Sequence, residues 1–374
     1  MRRLVLILVA VPALALVGCV PPPPKAPPMT RTVVLSGLDR PWDVAFTPDG
    51  TMFFTERSGA VSSWNGSGAP AEMLDEPADL QPGSEGGMLG LAVDPAFSSN
   101  HFLYTCYTSN SPGGNGDVRV VRWTVDAGYT TLSSPTPIVT GMPRSTGRHS
   151  GCRPRFRPAT EHLYITTGDA AIGTNPQNLQ SLGGKVLRVT RDGDPVAGNP
   201  GIGVANFDDR IYTYGHRNVQ GITFHPEHGR PYSAEHGTDC DDEINKLRQG
   251  TNYGWDPVPG YNESVPMTDF SKFPGARPAS WSSGCPTIAP SGVEFLSGPQ
   301  WGEWNGVLVT AVLKNHQLRF FTLSPNGMVA TRIATRYNPL GVRLRSVVQG
   351  PDGSLYVTTD AAAPNGEIWR VTPG

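Results

Sequence analysis

The sequence predicts an all-β fold, a six-bladed β-propeller, on three observations. A strand–turn–strand unit recurs along the chain, usually with proline or Pro-Asp-Gly at its turn. Glycine and proline are abundant, 44 and 37 of 374 residues, as a chain of many tight turns requires. No long amphipathic helical pattern interrupts the short β-like runs.

The copies follow in order. Residues 44–54 (VAFTPDGTMFF) form the first, with its turn at Pro48-Asp49-Gly50. Residues 91–107 form the second, turning near Pro95, and residues 154–167 the third, turning near Pro158. Residues 222–234 turn near Pro226, and residues 347–358 turn at Pro351-Asp352-Gly353. A weaker copy, 293–311, carries Gly298 and Pro299 and lies between them. The spacing of these turns, roughly 47 to 75 residues, is near or above a propeller period. One four-stranded sheet cannot bury both of its faces, so neighbours must stack. Residues 32–38 read as a strand that completes the last blade beside 366–371, closing the ring and removing a sheet edge. A pair of β-sandwiches is the alternative, but it leaves the repeat unexplained.

The chain begins with an export signature. Arg2 and Arg3 precede an apolar run, 4–17, too short to span a bilayer. Leu16-Val17-Gly18-Cys19 matches a bacterial lipobox, so residues 1–18 are expected to be a lipoprotein signal peptide and Cys19 the acylated first residue. Residues 19–30, including VPPPPKAPP, form an extended proline-rich tether, and 31–374 form the propeller domain. The expected location is extracytoplasmic, with the chain lipid-anchored to the cell membrane. A net charge of −2 implies no nucleic-acid partner. Beyond Cys19 there are four cysteines, Cys106, Cys152, Cys240 and Cys285. An even number in an oxidising compartment predicts disulfides, with three pairings open, and the spacing fits no zinc site.

Polar strings concentrate in 214–255: Gly215-His216-Arg217-Asn218, Glu235-His236-Gly237-Thr238, Asp241-Asp242-Glu243-Ile244-Asn245 and Asn252-Tyr253-Gly254-Trp255. A second cluster, 142–157 (MPRSTGRHSGCRPRFR), sets five arginines around His149. Read alone, such an arginine run is most often a solvated face. A lone histidine is more often structural, and Asp169 in Thr-Thr-Gly-Asp is more often a turn residue.

Taken together, the GHRN, EHG, DDEIN and NYGW strings resemble the soluble quinoprotein glucose/sorbosone dehydrogenases, six-bladed propellers that use pyrroloquinoline quinone (PQQ). The resemblance extends along most of the chain after the tether. It implies oxidation of an aldose sugar at C1 to the lactone, with electrons passed to an external acceptor. His149, in His-Ser-Gly-Cys-Arg, would be the general base, since neutral imidazole takes a proton near neutral pH. Asp169 would orient it, and Arg217 would stabilise negative charge on the quinone oxygen. Asn218, Lys314 (Val-Leu-Lys-Asn), Arg343 and Arg345 (Val-Arg-Leu-Arg) would hold the cofactor, with Glu85 (Ser-Glu-Gly-Gly-Met-Leu-Gly) beside it. Ca2+ would bind the backbone carbonyls of Gly237 and Thr238, with the acidic run 239–243 either tuning that site or serving as strand-end hydrogen-bonding groups.

The resemblance also implies the pairings Cys106–Cys152 and Cys240–Cys285. Cys152 departs from the family pattern, where a glycine is expected, and Cys285 stands where the glucose enzymes carry a tryptophan near the quinone. The combination of lipobox and propeller is similar to mycobacterial lipoprotein members of the family. The alternative function is a non-catalytic propeller lipoprotein that binds a cell-envelope glycan or protein. On the enzyme reading, His149, Arg217, Lys314, Arg343 and Arg345 should meet at one end of the channel. Four cations there would repel one another unless an anion were bound.

Overall fold

The computed structural model describes residues 24–111, 116–158 and 160–374. Cys19, the signal segment and the first part of the tether lie outside the described residues. Six antiparallel four-stranded sheets are arranged as a propeller. Their innermost strands are Pro41–Phe46, Met88–Val93, Pro154–Phe156, Asn218–Phe224, Pro290–Phe295 and Leu344–Gln349. Each packs against the next, and the last packs against the first, so the ring is closed. Met29–Leu38 pairs antiparallel with Gly366–Pro373 and supplies the outer strand of the closing blade, as the sequence predicts. Among the described residues, the helical elements are short: Phe97–Asn100 and the 3-10 turns Pro299–Trp304 and Asn338–Leu340.

The core is divided among the blade interfaces. Phe53, Val61, Leu91 and Leu103 fill the interface of the first and second blades. Tyr164, Val186, Val219 and Ile222 fill that of the third and fourth. Val44, Phe54, Tyr356 and Ile368 fill that of the closing and first blades. Each such side chain contributes about 1.5–3 kcal/mol on burial, so most of the hydrophobic stabilisation requires the neighbouring blade to be present. The disulfides have the pairing the resemblance implied. Cys106–Cys152 ties the second blade to the approach of the third, with a Cα–Cα distance of 6.0 Å. Cys240–Cys285 ties a fourth-blade loop to the approach of the fifth, at 4.3 Å.

The antiparallel meander also decides which residues meet. The start of every first strand and the end of every second strand lie on the same face of the ring. That face, the mouth, therefore collects residues that are far apart in sequence.

Candidate active site

His149 lies just before the first strand of the third blade, and Asp169 just after its second strand. Both are at the mouth and buried, with side-chain exposures of 3% and 0%. His149 Nδ1 and Asp169 Oδ1 are 2.7 Å apart. A carboxylate at that distance selects the Nδ1–H tautomer and leaves the Nε2 lone pair free. Asp169 is itself held on several sides. It accepts hydrogen bonds from the Ala171 amide (2.8 Å), Trp255 Nε1 (2.9 Å) and the Tyr261 hydroxyl (2.8 Å). Burial and the Asp169 charge push the Tyr261 phenol up, so it remains a neutral donor. The two loops touch so closely at Gly168 that a Cβ there would lie 1.7 Å from the His149 carbonyl oxygen, so only glycine fits. His149 itself has φ +55°, a left-handed conformation that a side chain adopts only when its surroundings enforce it.

Glu85 accepts from the His149 amide at 3.0 Å and from Asn218 Nδ2 at 3.1 Å, joining the second, third and fourth blades. Arg217, which directly precedes the first strand of the fourth blade, donates to Glu263 and to the His236 carbonyl. Arg345 donates to Gln220 Oε1 (3.2 Å) and Asp360 Oδ2 (3.1 Å), and Arg343 to the same Asp360 oxygen (3.0 Å). His236 is half-buried; burial, then Arg345, Arg217 and His149, hold its pKa far below the usual value. Lys314 is exposed, donates to Thr287 Oγ1, and acts on Asp242, which accepts from the Gly237 amide at 2.8 Å. Arg217 and Arg345 both reach the inner strands of the fourth blade, through the His236 carbonyl and Gln220, and Arg343 shares Asp360 with Arg345, while Lys314 bonds Thr287 and none of these groups.

Two expectations are corrected. The mouth cations are not left to repel one another, because Asp360 and Glu263 compensate them. Asp360 is held at about 2: burial raises it, but Arg345 and Arg343 outweigh burial. Within the arginine run at 142–157, Arg148 is exposed, but Arg153 and Arg155 do not lie on a solvated face. Arg153 is wholly buried and ion-paired with Asp43, which also binds Arg155 and accepts from the Ser346 hydroxyl at 2.7 Å. Arg153 Nε donates to the Gln220 carbonyl at 2.8 Å and its guanidinium stacks 4.2 Å over Trp42. This network joins strands of four blades.

The acidic run divides by position. Asp242 accepts from the amides of Gly237, Ile288 and Ala289, an arrangement that holds the loop together. Glu243 is pushed far up by burial and by neighbouring Glu235. Among the described residues no group of three or more His, Cys, Asp or Glu could hold a metal. A cation at the Gly237–Thr238 turn would therefore rely on carbonyl oxygens.

The PQQ reading can be tested on the donors at the mouth. Arg217 Nε, Arg345 Nε and His236 Nε2 are buried and have no hydrogen-bond partner. Buried polar atoms rarely stay unpaired, so the two arginine Nε–H donors, with the guanidinium groups around them, fit a ligand rich in carboxylate and carbonyl oxygens. Sequence reasoning missed Tyr261, Glu263, Asp360 and Gln220 altogether. Trp255 and His236 stood in the quoted NYGW and EHG strings without an assigned role.

A closed propeller whose mouth combines a carboxylate-held histidine with arginines has the groups to accept a proton beside an anionic ligand. The chain belongs to the glucose/sorbosone dehydrogenase family, whose sequence profile matches residues 38–370, and members of this family are oxidoreductases. It is 31% identical over 364 residues to the aldose sugar dehydrogenase YliI of Escherichia coli, covering 93% of this chain and 94% of that one. The apo-form soluble aldose sugar dehydrogenase of E. coli superposes with a TM-score of 0.84 at 27% identity, over 93% of this chain and 100% of that one. The PQQ-bound aldose sugar dehydrogenase of Streptomyces coelicolor gives 0.76 at 30% identity, over 93% and 99%.

Proposed function

We propose that this protein oxidises an aldose at C1 to the lactone, using PQQ bound at the channel mouth and passing the electrons to an external acceptor. The observation that carries this reading is His149: its Nδ1 is fixed by Asp169, while Nε2 has no protein partner among the described residues. His149 Nε2 takes the proton of the substrate's C1 hydroxyl, and the imidazolium that forms is stabilised by the Asp169 carboxylate 2.7 Å away. Tyr261 and Trp255 keep that carboxylate oriented. Arg217, Asn218, Arg345, Arg343 and Lys314 would hold PQQ, and the carbonyls of Gly237 and Thr238 would hold Ca2+. PQQ supplies the two-electron acceptor for the hydride leaving C1. Glu85 fixes the His149 backbone relative to Asn218.

The N-terminal sequence supports an extracytoplasmic protein anchored through diacylglycerol on Cys19, similar to mycobacterial lipoprotein members of the family. The decisive experiment adds PQQ and Ca2+ to the purified chain and measures PQQ binding and sugar-dependent dye reduction. Binding with turnover supports the reading. Absence of PQQ binding at micromolar concentrations removes it and leaves the glycan- or protein-binding alternative.

A further inference from the structure

The face opposite the mouth carries a cavity of about 560 Å³ between the third and fourth blades, and the proposed chemistry does not use it. Arg157, Arg230, Lys246, Arg248 and Arg277 line it, and no carboxylate does. Among the described residues none of the five forms an ion pair. The contrast with the mouth is direct, because there Asp360 and Glu263 balance the arginines. Arg157 Nε is buried without a hydrogen-bond partner. Its guanidinium lies across Gly229, close enough that a Cβ there would meet Nε and Nη2 at 3.1 Å. Lys246 donates to the Asn326 carbonyl, and burial, then Arg230 and Arg277, push its ammonium down. Arg277 Nε donates to the Lys246 carbonyl at 3.1 Å. The lining otherwise includes Tyr212, Leu247 and Met328. Cations gathered beside apolar surface, with no acid among them, suit an anion with tetrahedral oxygens that several guanidinium groups can share.

A second observation gives the anion a source. Met29 pairs with Pro373 and Leu38 with Gly366, so the first strand runs from this face toward the mouth. The tether is seated on the same face: the Pro24 carbonyl accepts from Trp304 Nε1 at 3.2 Å and the Pro28 carbonyl from the Gly374 amide at 2.7 Å. The few residues between Cys19 and Pro24 span only about 15 Å when extended as polyproline II. An acyl chain on Cys19 would therefore hold this face against the membrane surface.

We propose that the cavity binds the phosphate of an anionic phospholipid headgroup and so docks the non-catalytic face of the propeller on the membrane. The choice of a lipid source rests on the anchored reading of Cys19; the anion site itself rests on the cavity. Docking in this way turns the mouth outward, away from the bilayer.

The test uses the full chain in neutral detergent, titrated calorimetrically with dihexanoyl phosphatidylglycerol, dihexanoyl phosphatidylcholine and inorganic phosphate. The variant is Arg230→Gln/Arg248→Gln, both exposed positions away from the mouth, so its dye reduction should match wild type and report an intact fold. Phosphatidylglycerol should bind at least tenfold more tightly than phosphatidylcholine, and at least tenfold more tightly to wild type than to the variant. Equal binding of the two lipids, or equal binding by wild type and variant, overturns the proposal. Inorganic phosphate binding as tightly as phosphatidylglycerol overturns the lipid source. The intact mass of membrane-extracted protein tests the anchor separately. If diacylglycerol is missing while phosphatidylglycerol still binds, the anchor is refuted and the headgroup site stands.

Discussion

Two histidines in this molecule have the same first partner and different fates. His149 Nδ1 meets Asp169 at 2.7 Å, and His216 Nδ1 meets Glu235 at 2.7 Å. Both pairs are buried, and both join a loop before a first strand to the end of a second strand. They differ at the other ring nitrogen. His216 Nε2 is 2.9 Å from Thr213 Oγ1, and its ring stacks on Tyr253 at 4.5 Å. Every polar atom of that ring is engaged, so it staples the fourth blade. His149 Nε2 has no such partner. A carboxylate–histidine pair is therefore not a catalytic signature by itself; what matters is the nitrogen left open.

Substitution should separate the two. His149→Asn should lower the kcat of the PQQ- and Ca2+-loaded enzyme by about a thousandfold, the middle of the range for losing a general base. PQQ affinity and the melting temperature should stay near wild type. A kcat within tenfold of wild type would remove His149 from the chemistry. His216→Ala should do the reverse, costing about 3 kcal/mol of stability because Glu235 loses a buried partner. Denaturant unfolding measures that loss, and kcat per folded molecule should stay within a fewfold of wild type.

The same distinction between satisfied and open groups applies to the arginines. Arg345 shares Asp360 yet keeps Nε unpaired. The folded pKa of Asp360, about 2, lies below its ordinary 3.8. Its stabilising contribution is therefore complete above about pH 4 and is lost as pH falls through 2, amounting to about 2 kcal/mol. Unfolding free energies between pH 4 and 2 should show this decline, and Asp360→Asn should flatten that part of the curve. The smallest effect is expected from Tyr261→Phe, which removes one of several donors to Asp169. Its kcat should fall about tenfold, roughly 1.4 kcal/mol, with KM little changed. A change confined to KM would instead make Tyr261 a substrate contact.

Much of the fold was legible because its signals are local. Pro48-Asp49-Gly50 and Pro351-Asp352-Gly353 set turns within a few residues, and alternating apolar residues mark the flanking strands. The site was legible only where short strings carry it, as in GHRN and His149-Ser150-Gly151-Cys152-Arg153. Tyr261 and Glu263 lie in the long segment between Glu243–Lys246 and Trp281–Ser282, which has no periodic pattern to place it. Asp360 follows a strand end like many turn aspartates, and the pairing of Leu344–Gln349 with Leu355–Thr359 sets it beside Arg343 and Arg345. The fate of Arg153 was hidden because its partner Asp43 sits in another blade.

The pairing of Met29–Leu38 with Gly366–Pro373 also sets the order of assembly. The first strand has no sheet to join until the last one exists, so it must wait through the synthesis of nearly the whole chain. Loop-closure entropy grows only logarithmically with length, so the finished ring is little weakened by joining its two extremes. The search for that contact is slow all the same, because contacts distant in sequence form late. Until then the closing blade presents an unpaired edge, the kind of edge that recruits foreign strands. This protein is therefore most exposed to aggregation just before its last strand is paired, and a chain lacking Met29–Leu38 or Gly366–Pro373 would remain in that state.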